Sequence, residues 1–183
     1  MQDFSAHIMD IAQNSVRANA SRIEIEVNDF LLQDSYSITV RDNGCGMDAE
    51  TLAKVSDPFF TSRTVRKVGL GIPLLKQNAE ATGGYVTIWS EPKVGTTIRA
   101  VFSHTHIDRP PVGDIPGVIV LLAAANPNIE IIYKHKTDSG EYIFNSIEVK
   151  KFLDGVPLND PEIVQALRQM IEENLNEIKN ENQ

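Results

Sequence analysis

The residues best suited to chemistry begin with the loop from Asp42 to Met47, which sets a carboxylate beside two glycines. The alternating run from Tyr36 to Arg41 predicts a strand that ends at this loop. Gly44 and Gly46 have no Cβ, so the main chain could approach a ligand closely. A carboxylate at a strand end can accept a hydrogen bond from an amino group such as the exocyclic nitrogen of adenine. The same residues are also typical of a tight turn, and the loop alone does not decide between the two interpretations.

A second polar group lies near the amino terminus. The stretch from Ser5 to Ala20 predicts a helix, because apolar residues recur there at helical spacing. His7, Asp10, Asn14 and Arg17 follow one another three, four and three residues apart. We therefore expect these four side chains to lie on one side of the helix.

Two further segments suit the binding of an anion. Asp57 to Lys67 predicts a basic loop with hydroxyl side chains, and Gly69 to Thr82 predicts a helix. Gly69 and Gly71 place unobstructed main-chain amides at the start of that helix, where the helix dipole favours a negatively charged group.

Together the four segments follow an order that resembles the ATP-binding domain shared by DNA gyrase, Hsp-type chaperones, sensor histidine kinases and MutL, the GHKL or Bergerat-fold superfamily. The resemblance covers residues 1–104 and implies an α+β fold. The implied architecture is a two-layer α/β sandwich, in which helices cover one face of a mixed, mostly antiparallel sheet. The implied ligands are ATP and Mg²⁺. The segments that carry the resemblance are Asp10 to Asn14, Asp42 to Met47, Asp57 to Ser62 and Val68 to Gly71.

The resemblance implies roles for two residues of the first helix. Asn14 matches the asparagine that coordinates the Mg²⁺ bridging the phosphates, and an amide oxygen suits this hard cation. Asp10 matches the acidic position one turn earlier, a glutamate in the hydrolysing members, which would polarise the attacking water as a general base. Aspartate is one methylene shorter, so a water-mediated position beside Mg²⁺ is the alternative role for Asp10.

At the other end of the ligand, the resemblance concerns the adenine base. Asp42 matches the carboxylate that accepts a hydrogen bond from the adenine amino group, and Gly44 and Gly46 would let the loop pass beside the base. Met47 would pack on the ring plane, since its thioether is polarizable and adaptable. Thr97 matches a late threonine that supports the carboxylate, often through water.

The remaining implied contacts are with the phosphates. Thr61 and Ser62 would donate hydrogen bonds as a lid closes over the nucleotide. Lys67 stands where the family often has another glycine, and this departure could add a phosphate contact or a solvent-exposed lysine. The anion site at the following helix start would be formed by Gly69, Leu70 and Gly71.

Residues beyond the family domain predict a linker at 105–117 and a small α+β extension at 118–183. The apolar run from Pro116 to Asn126 predicts a buried helix or a strand, and a hairpin turning at residues 138–140 follows it. Asp160 and Pro161 are typical of a helix start. The extension could add strands to the sheet or dock as a separate unit.

Composition limits the classes of function. The net charge of −8 over 183 residues argues against broad electrostatic binding of nucleic acid or an anionic membrane. The longest apolar run, Val118 to Ala125, is too short to cross a bilayer, and the start of the chain does not resemble a signal peptide. The single cysteine, Cys45, cannot form an intrachain disulfide. We therefore expect a cytoplasmic protein.

Three functions are compatible with these features. The first is a soluble regulatory protein kinase, of the anti-sigma or detached histidine-kinase type, acting on a protein partner that docks on the C-terminal extension. A short lid from Thr61 to Val68 favours this function. The second is an ATP-hydrolysing clamp of the gyrase or MutL type, and the third is a nucleotide sensor without turnover. The sequence leaves open whether the protein forms a homodimer.

Overall fold

The computed structural model describes residues 3–55 and 70–180. It contains a six-stranded sheet whose strands carry alternating apolar residues, so that one face of the sheet packs against helices. The strand order is β3-β4-β2-β1-β5-β6. β1 and β5 run parallel, and the other four neighbouring pairs are antiparallel. The α+β class and the mixed, mostly antiparallel sheet implied by the resemblance are thus confirmed. The strands are β1 Arg22–Phe30, β2 Ser35–Asp42, β3 Tyr85–Glu91, β4 Gly95–Ser103, β5 Glu130–Thr137 and β6 Glu141–Asn145.

The helices begin where side chains can satisfy their free amide groups. Asp3 accepts a hydrogen bond from the Ala6 amide at the start of α1, and Asp48 accepts one from Thr51 at the start of α2. Each such cap typically stabilises a protein by about 1 kcal/mol. The helices are α1 Phe4–Arg17, α2 Ala49–Lys54, α3 Gly71–Ala81, α4 Ile115–Ala125, α5 Ser146–Phe152 and α6 Pro161–Asn180.

The core lies between the sheet and helices α1, α3, α4 and α6, all of which contribute buried apolar residues. Ile23, Ile25 and Val27 alternate along β1 and are fully buried. α1 contacts β1 and β2, α2 contacts β3, and α3 contacts β3 and β4. Burying a branched apolar side chain of this kind contributes about 1.5 to 3 kcal/mol, which holds α1 in place over the carboxyl end of β2.

The C-terminal residues extend the same sheet. β5 pairs with β1 from Arg22 opposite Glu130 to Asp29 opposite Thr137, and β6 forms the outer strand. The apolar run for which both a helix and a strand were predicted forms a helix, α4, which packs against α1 and α6. Of the two arrangements left open, the extension therefore adopts the one that adds strands. None of the helices in the described ranges has the length and apolar content needed to cross a membrane.

Candidate functional site

Asp42 lies at the end of β2 and is bonded to the first helix. Its Oδ2 accepts a hydrogen bond from Ser15 Oγ at 2.6 Å, and its Oδ1 accepts one from the Gly44 amide at 2.9 Å. Ser15 is buried, with 2% of its surface exposed, and it directly follows Asn14 on α1. Each carboxylate oxygen can accept a second hydrogen bond, so the group is held in place and can still accept from a ligand.

The polar residues of α1 change from buried to exposed along the helix. His7 is buried and pairs with Asn78 of α3 through Nε2 at 2.9 Å, while Arg17 is exposed at the other end. Burial lowers the pKa of His7, although nearby Asp10 acts in the opposite direction. Asp10 and Asn14 lie between these extremes and are half-buried. The predicted stripe thus presents one carboxylate and one amide that remain accessible.

The start of α3 meets this stripe at Asp10. A Cβ added to Gly71 would lie 3.2 Å from Asp10 Cβ and 3.4 Å from Asp10 Oδ2, which is a close packing distance. Leu70 precedes the helix and has 60% of its surface exposed. On the same α1 surface, Asn14 Oδ1 accepts a hydrogen bond from Arg17 Nη1 at 3.0 Å. The structure therefore brings Asp10, Asn14 and Gly71 to one region.

The loop after Asp42 is bonded on both sides. The Cys45 amide donates to the Ala18 carbonyl at the end of α1 at 2.9 Å, and the Cys45 carbonyl accepts from the Lys93 amide at 2.8 Å. The Met47 amide donates to Ser90 Oγ at 2.8 Å, and the Met47 side chain packs against the core. These bonds fix the loop between α1 and the turn that joins β3 to β4.

Packing within the protein accounts for both glycines of the loop. A Cβ on Gly44 would lie 2.8 Å from Ala18 Cβ, and one on Gly46 would lie 2.0 Å from the Glu91 carbonyl oxygen. Gly46 also has a φ of +65°, a conformation that costs other residues about 1 kcal/mol or more. The glycines are needed for close contact between segments of the chain, while an approach of their main chain to the base stays a prediction.

Replacing Gly46 with alanine should displace the loop. The new Cβ cannot occupy the position of the Glu91 carbonyl, so either the loop or the β3–β4 turn must move. We expect a loss of about 2 to 3 kcal/mol of unfolding free energy, measured by urea denaturation. Gly155→Ala is the control, because Gly155 has a φ of +95° but no atom within 4 Å of the added Cβ. An equal loss in both variants would show that backbone strain alone, and not the contact with Glu91, sets the requirement.

Thr97 lies on β4, and its role in supporting the Asp42 carboxylate stays a prediction. Its register partners are Arg41 and Trp89, which lie on the face of the sheet opposite to the Asp42 carboxylate. The residue opposite Asp42 on β4 is Thr96, and Thr96 Oγ1 pairs with Ser90 Oγ at 2.8 Å. Ile98, Ala100 and Phe102 are buried along β4, and this alternation places Thr96 on the same face of the sheet as Asp42.

Four other predicted residues, Thr61, Ser62, Lys67 and Gly69, lie outside the described ranges. Within those ranges, sequence reasoning also missed Ser15. Ser15 lies among the buried apolar residues of α1, and its hydroxyl donates the shorter of the two hydrogen bonds that Asp42 accepts. A serine at an otherwise apolar position beside a polar loop was the available signal.

Comparison with known proteins gives results for more than half of the chain. A family model described as histidine kinase-, DNA gyrase B-, and HSP90-like ATPase matches residues 4–106. Signal transduction histidine-protein kinase AtoS of Escherichia coli K12 is 33% identical over 95 residues, which are 51% of this chain and 16% of that protein. Sensor histidine kinase YxdK of Bacillus subtilis is 29% identical over 100 residues, 52% of this chain and 31% of that protein. This chain therefore covers less than a third of either relative.

Solved structures extend the likeness in fold. The N-terminal domain of a DNA repair protein superposes with a TM-score of 0.57 at 19% identity, covering 78% of this chain and 52% of that one. The ATPase domain of Aquifex aeolicus MutL, complexed with ADP, gives a TM-score of 0.50 at 15% identity over 79% of this chain and 63% of that one. At these identities the likeness concerns the fold alone. Together with the family match and the geometry around Asp42, the comparisons confirm the resemblance drawn from the sequence: the chain belongs to the histidine kinase-, DNA gyrase B-, and HSP90-like ATPases.

Proposed function

We propose that this protein binds Mg²⁺-ATP between α1, the loop after Asp42 and the start of α3. The observation that carries the proposal is the hydrogen bond from Ser15 to Asp42. Ser15 directly follows Asn14 on α1. The hydrogen bond therefore connects Asp42, which would hold the base, to the helix that carries Asn14, which would hold the metal. Base and phosphate contacts are then positioned by one rigid element, which reduces the entropy lost on binding.

The residues present fit this ligand. The Asp42 carboxylate is already oriented by two donors and keeps acceptor capacity for an amino group. Asn14 is half-buried, and its Oδ1 accepts one hydrogen bond from Arg17 and keeps a second lone pair; hard cations such as Mg²⁺ prefer such oxygen ligands. Gly71 begins α3 next to Asp10, and its main-chain amide is one of the helix-terminal groups without an intrahelical partner. Bound ATP would supply a transferable γ-phosphoryl group.

Asn14 provides the sharpest test of the metal assignment. Isothermal titration of wild-type protein with ATP should give about tenfold weaker binding when EDTA replaces Mg²⁺. Asn14→Ala should bind ATP with the weaker affinity under both conditions, because the amide oxygen that distinguishes them is gone. Gln13→Ala is the matched control on the same helix, since Gln13 is exposed and lies outside the polar stripe. A wild-type affinity that does not depend on Mg²⁺ would contradict the assignment.

For the reaction, we infer a regulatory protein kinase that transfers phosphate to a protein partner. The support is the similarity to a signal transduction histidine-protein kinase, which is 33% identical over 95 residues. Asp10 would orient the attacking group or a water beside Mg²⁺, because it lies one turn before Asn14 and faces Gly71.

ATP labelled at the γ-phosphate separates the alternatives. Label on a protein encoded beside this one supports a kinase. Free phosphate that disappears in Asp10→Asn supports an ATPase, and binding without either product supports a sensor. In each case Asp10→Asn should retain ATP binding, since Asp42 and Asn14 are unchanged.

A further inference from the structure

The face of the sheet turned away from α1 carries a trough of polar side chains. Two adjoining depressions of about 280 and 240 Å³ lie along strands β1, β2, β3 and β4, and they share Glu24, Arg41 and Thr97. The register places these three residues in one row across the sheet. We call this surface the open-face trough and define it by Glu24, Glu26, Thr39, Arg41, Thr97 and Arg99.

The acidic side of the trough is neutralised within the chain. Glu24 accepts a hydrogen bond from Lys134 Nζ at 2.9 Å and lies 3.7 Å from Arg22, and Glu26 lies 3.6 Å from Lys136 Nζ. Burial alone would raise the pKa of Glu24, but the Lys134 contact and the neighbouring arginines lower it below its usual value. These carboxylates are therefore charged and paired, so they present little unbalanced charge to a partner.

The basic side is not balanced in this way. Arg99 is exposed and has no ion-pair partner in the part of the chain that the structure describes. Arg41 is also exposed and makes no ion pair there within salt-bridge distance, although its charge contributes to the low pKa of Glu24. The protein as a whole has a net charge of −8, so a pair of incompletely balanced arginines makes this surface locally positive. Such a surface favours the binding of acidic groups.

Exposed apolar and aromatic side chains lie beside the two arginines. Trp89 of edge strand β3 lies opposite Thr97 and has 51% of its surface exposed, and Val94 beside it has 49% exposed. Tyr85 of the same strand is 51% exposed. Large apolar side chains are normally covered, and an exposed tryptophan next to arginine is a combination enriched at protein interfaces.

We propose that the open-face trough binds an acidic segment of a partner protein that also carries a large apolar side chain. Carboxylates of the segment pair with the guanidinium groups of Arg41 and Arg99, which suit bidentate contact. The apolar side chain covers Trp89 and removes its exposed surface from water. Strand alternation turns the trough side chains away from the Asp42 carboxylate, although Asp42 also lines one end of the smaller depression, so the two sites adjoin there.

Trp89 is the only tryptophan of the chain and therefore reports on the trough directly. The probe is a capped hexapeptide of alternating glutamate and leucine, and the same peptide with lysine in place of glutamate serves as its control. Titration of the full chain with the acidic peptide should change tryptophan fluorescence to saturation, with an affinity that falls as salt is raised. The lysine peptide should give no saturable change. Absence of saturation with the acidic peptide would overturn the proposal.

Variants locate the binding. Arg99→Glu should weaken the peptide affinity by about tenfold or more, and Arg99→Lys should weaken it less, because one charged contact is kept. Lys151→Glu makes the same change of charge on exposed α5 and should have no effect. Asn14→Ala should bind the peptide as wild type does, because Asn14 lies on α1 and lines neither depression, and this keeps the test separate from that of ATP binding. Equal weakening by Lys151→Glu would overturn the proposal. It would also be overturned if sedimentation showed that the protein self-associates and that this self-association, rather than peptide binding, changes the fluorescence.

Discussion

Asp42→Asn should lower the affinity for Mg²⁺-ATP by about 100-fold, equivalent to about 2.7 kcal/mol. The carboxylate accepts from Ser15 through one oxygen and from Gly44 through the other. An asparagine of the same shape must present its NH₂ group to one of these donors, because an amide has only one acceptor oxygen. Either Gly44 loses its acceptor or the Ser15 hydroxyl must accept where it now donates, and in both cases the adenine amino group loses the negative charge and one of the two acceptor oxygens.

The measurement is isothermal titration of both proteins with ATP in excess Mg²⁺, with urea denaturation to show that the variant is folded. Asp154→Asn is the control, since it makes the same chemical change at an exposed residue of the C-terminal region. Guanine nucleotide provides a second readout: its exocyclic groups are arranged differently, so the preference for ATP should shrink in Asp42→Asn. Unchanged ATP affinity in the variant would remove the basis of the proposed nucleotide site.

Local patterns in the sequence were sufficient to predict much of this site. The helical spacing of Asp10 and Asn14 and the strand that ends at Asp42 depend on residues close together in the chain, and the structure places them as expected. The helix starts at Asp48 and Pro161 were likewise predictable from local capping residues.

Features set by distant segments were not predictable in the same way. The choice between Thr96 and Thr97 depends on the register between β2 and β4, which are more than 50 residues apart. The parallel pairing of β5 with β1 joins segments about 100 residues apart and needs the intervening α4 to cross over. The contact of Gly46 with Glu91 is also nonlocal. From the sequence, the glycine indicated a close approach of the main chain to a ligand, whereas in the structure it is needed for close packing against Glu91.

The largest expected effect on stability comes from Asp29, which joins β1 to β5 and to the segment after β4. Asp29 Oδ1 lies 2.6 Å from His104 Nε2, and its Oδ2 lies 3.8 Å from His135 Nε2. His135 is 1% exposed, and its Nδ1 pairs with the Tyr133 hydroxyl at 2.7 Å. Burial alone would raise the pKa of Asp29, but attraction to the two histidines outweighs it and lowers the pKa to about 2. Burial also lowers the pKa of His135.

Asp29→Asn should reduce the unfolding free energy by about 2 to 4 kcal/mol above about pH 4, because it removes the charge that two histidines face. The folded-state pKa of Asp29 lies below its usual value, so its contribution is present above about pH 4 and is lost as pH falls through about 2. The difference between the two proteins should therefore be steady from pH 7 to about pH 4 and should shrink toward pH 2.

Urea denaturation at several pH values between 7 and 2.5 measures this difference. The matched control is Asp108→Asn, since Asp108 lies 3.9 Å from His106 Nδ1 in a pair whose side chains are 37% and 67% exposed. Water screens that pair, so the control should lose no more than about 0.5 kcal/mol at any pH. Asp29 connects β1, in the family domain, to β5, in the C-terminal extension. Equal losses in the two variants would mean that apolar contacts between β1 and β5 hold the two strands together and that the charge of Asp29 is not needed.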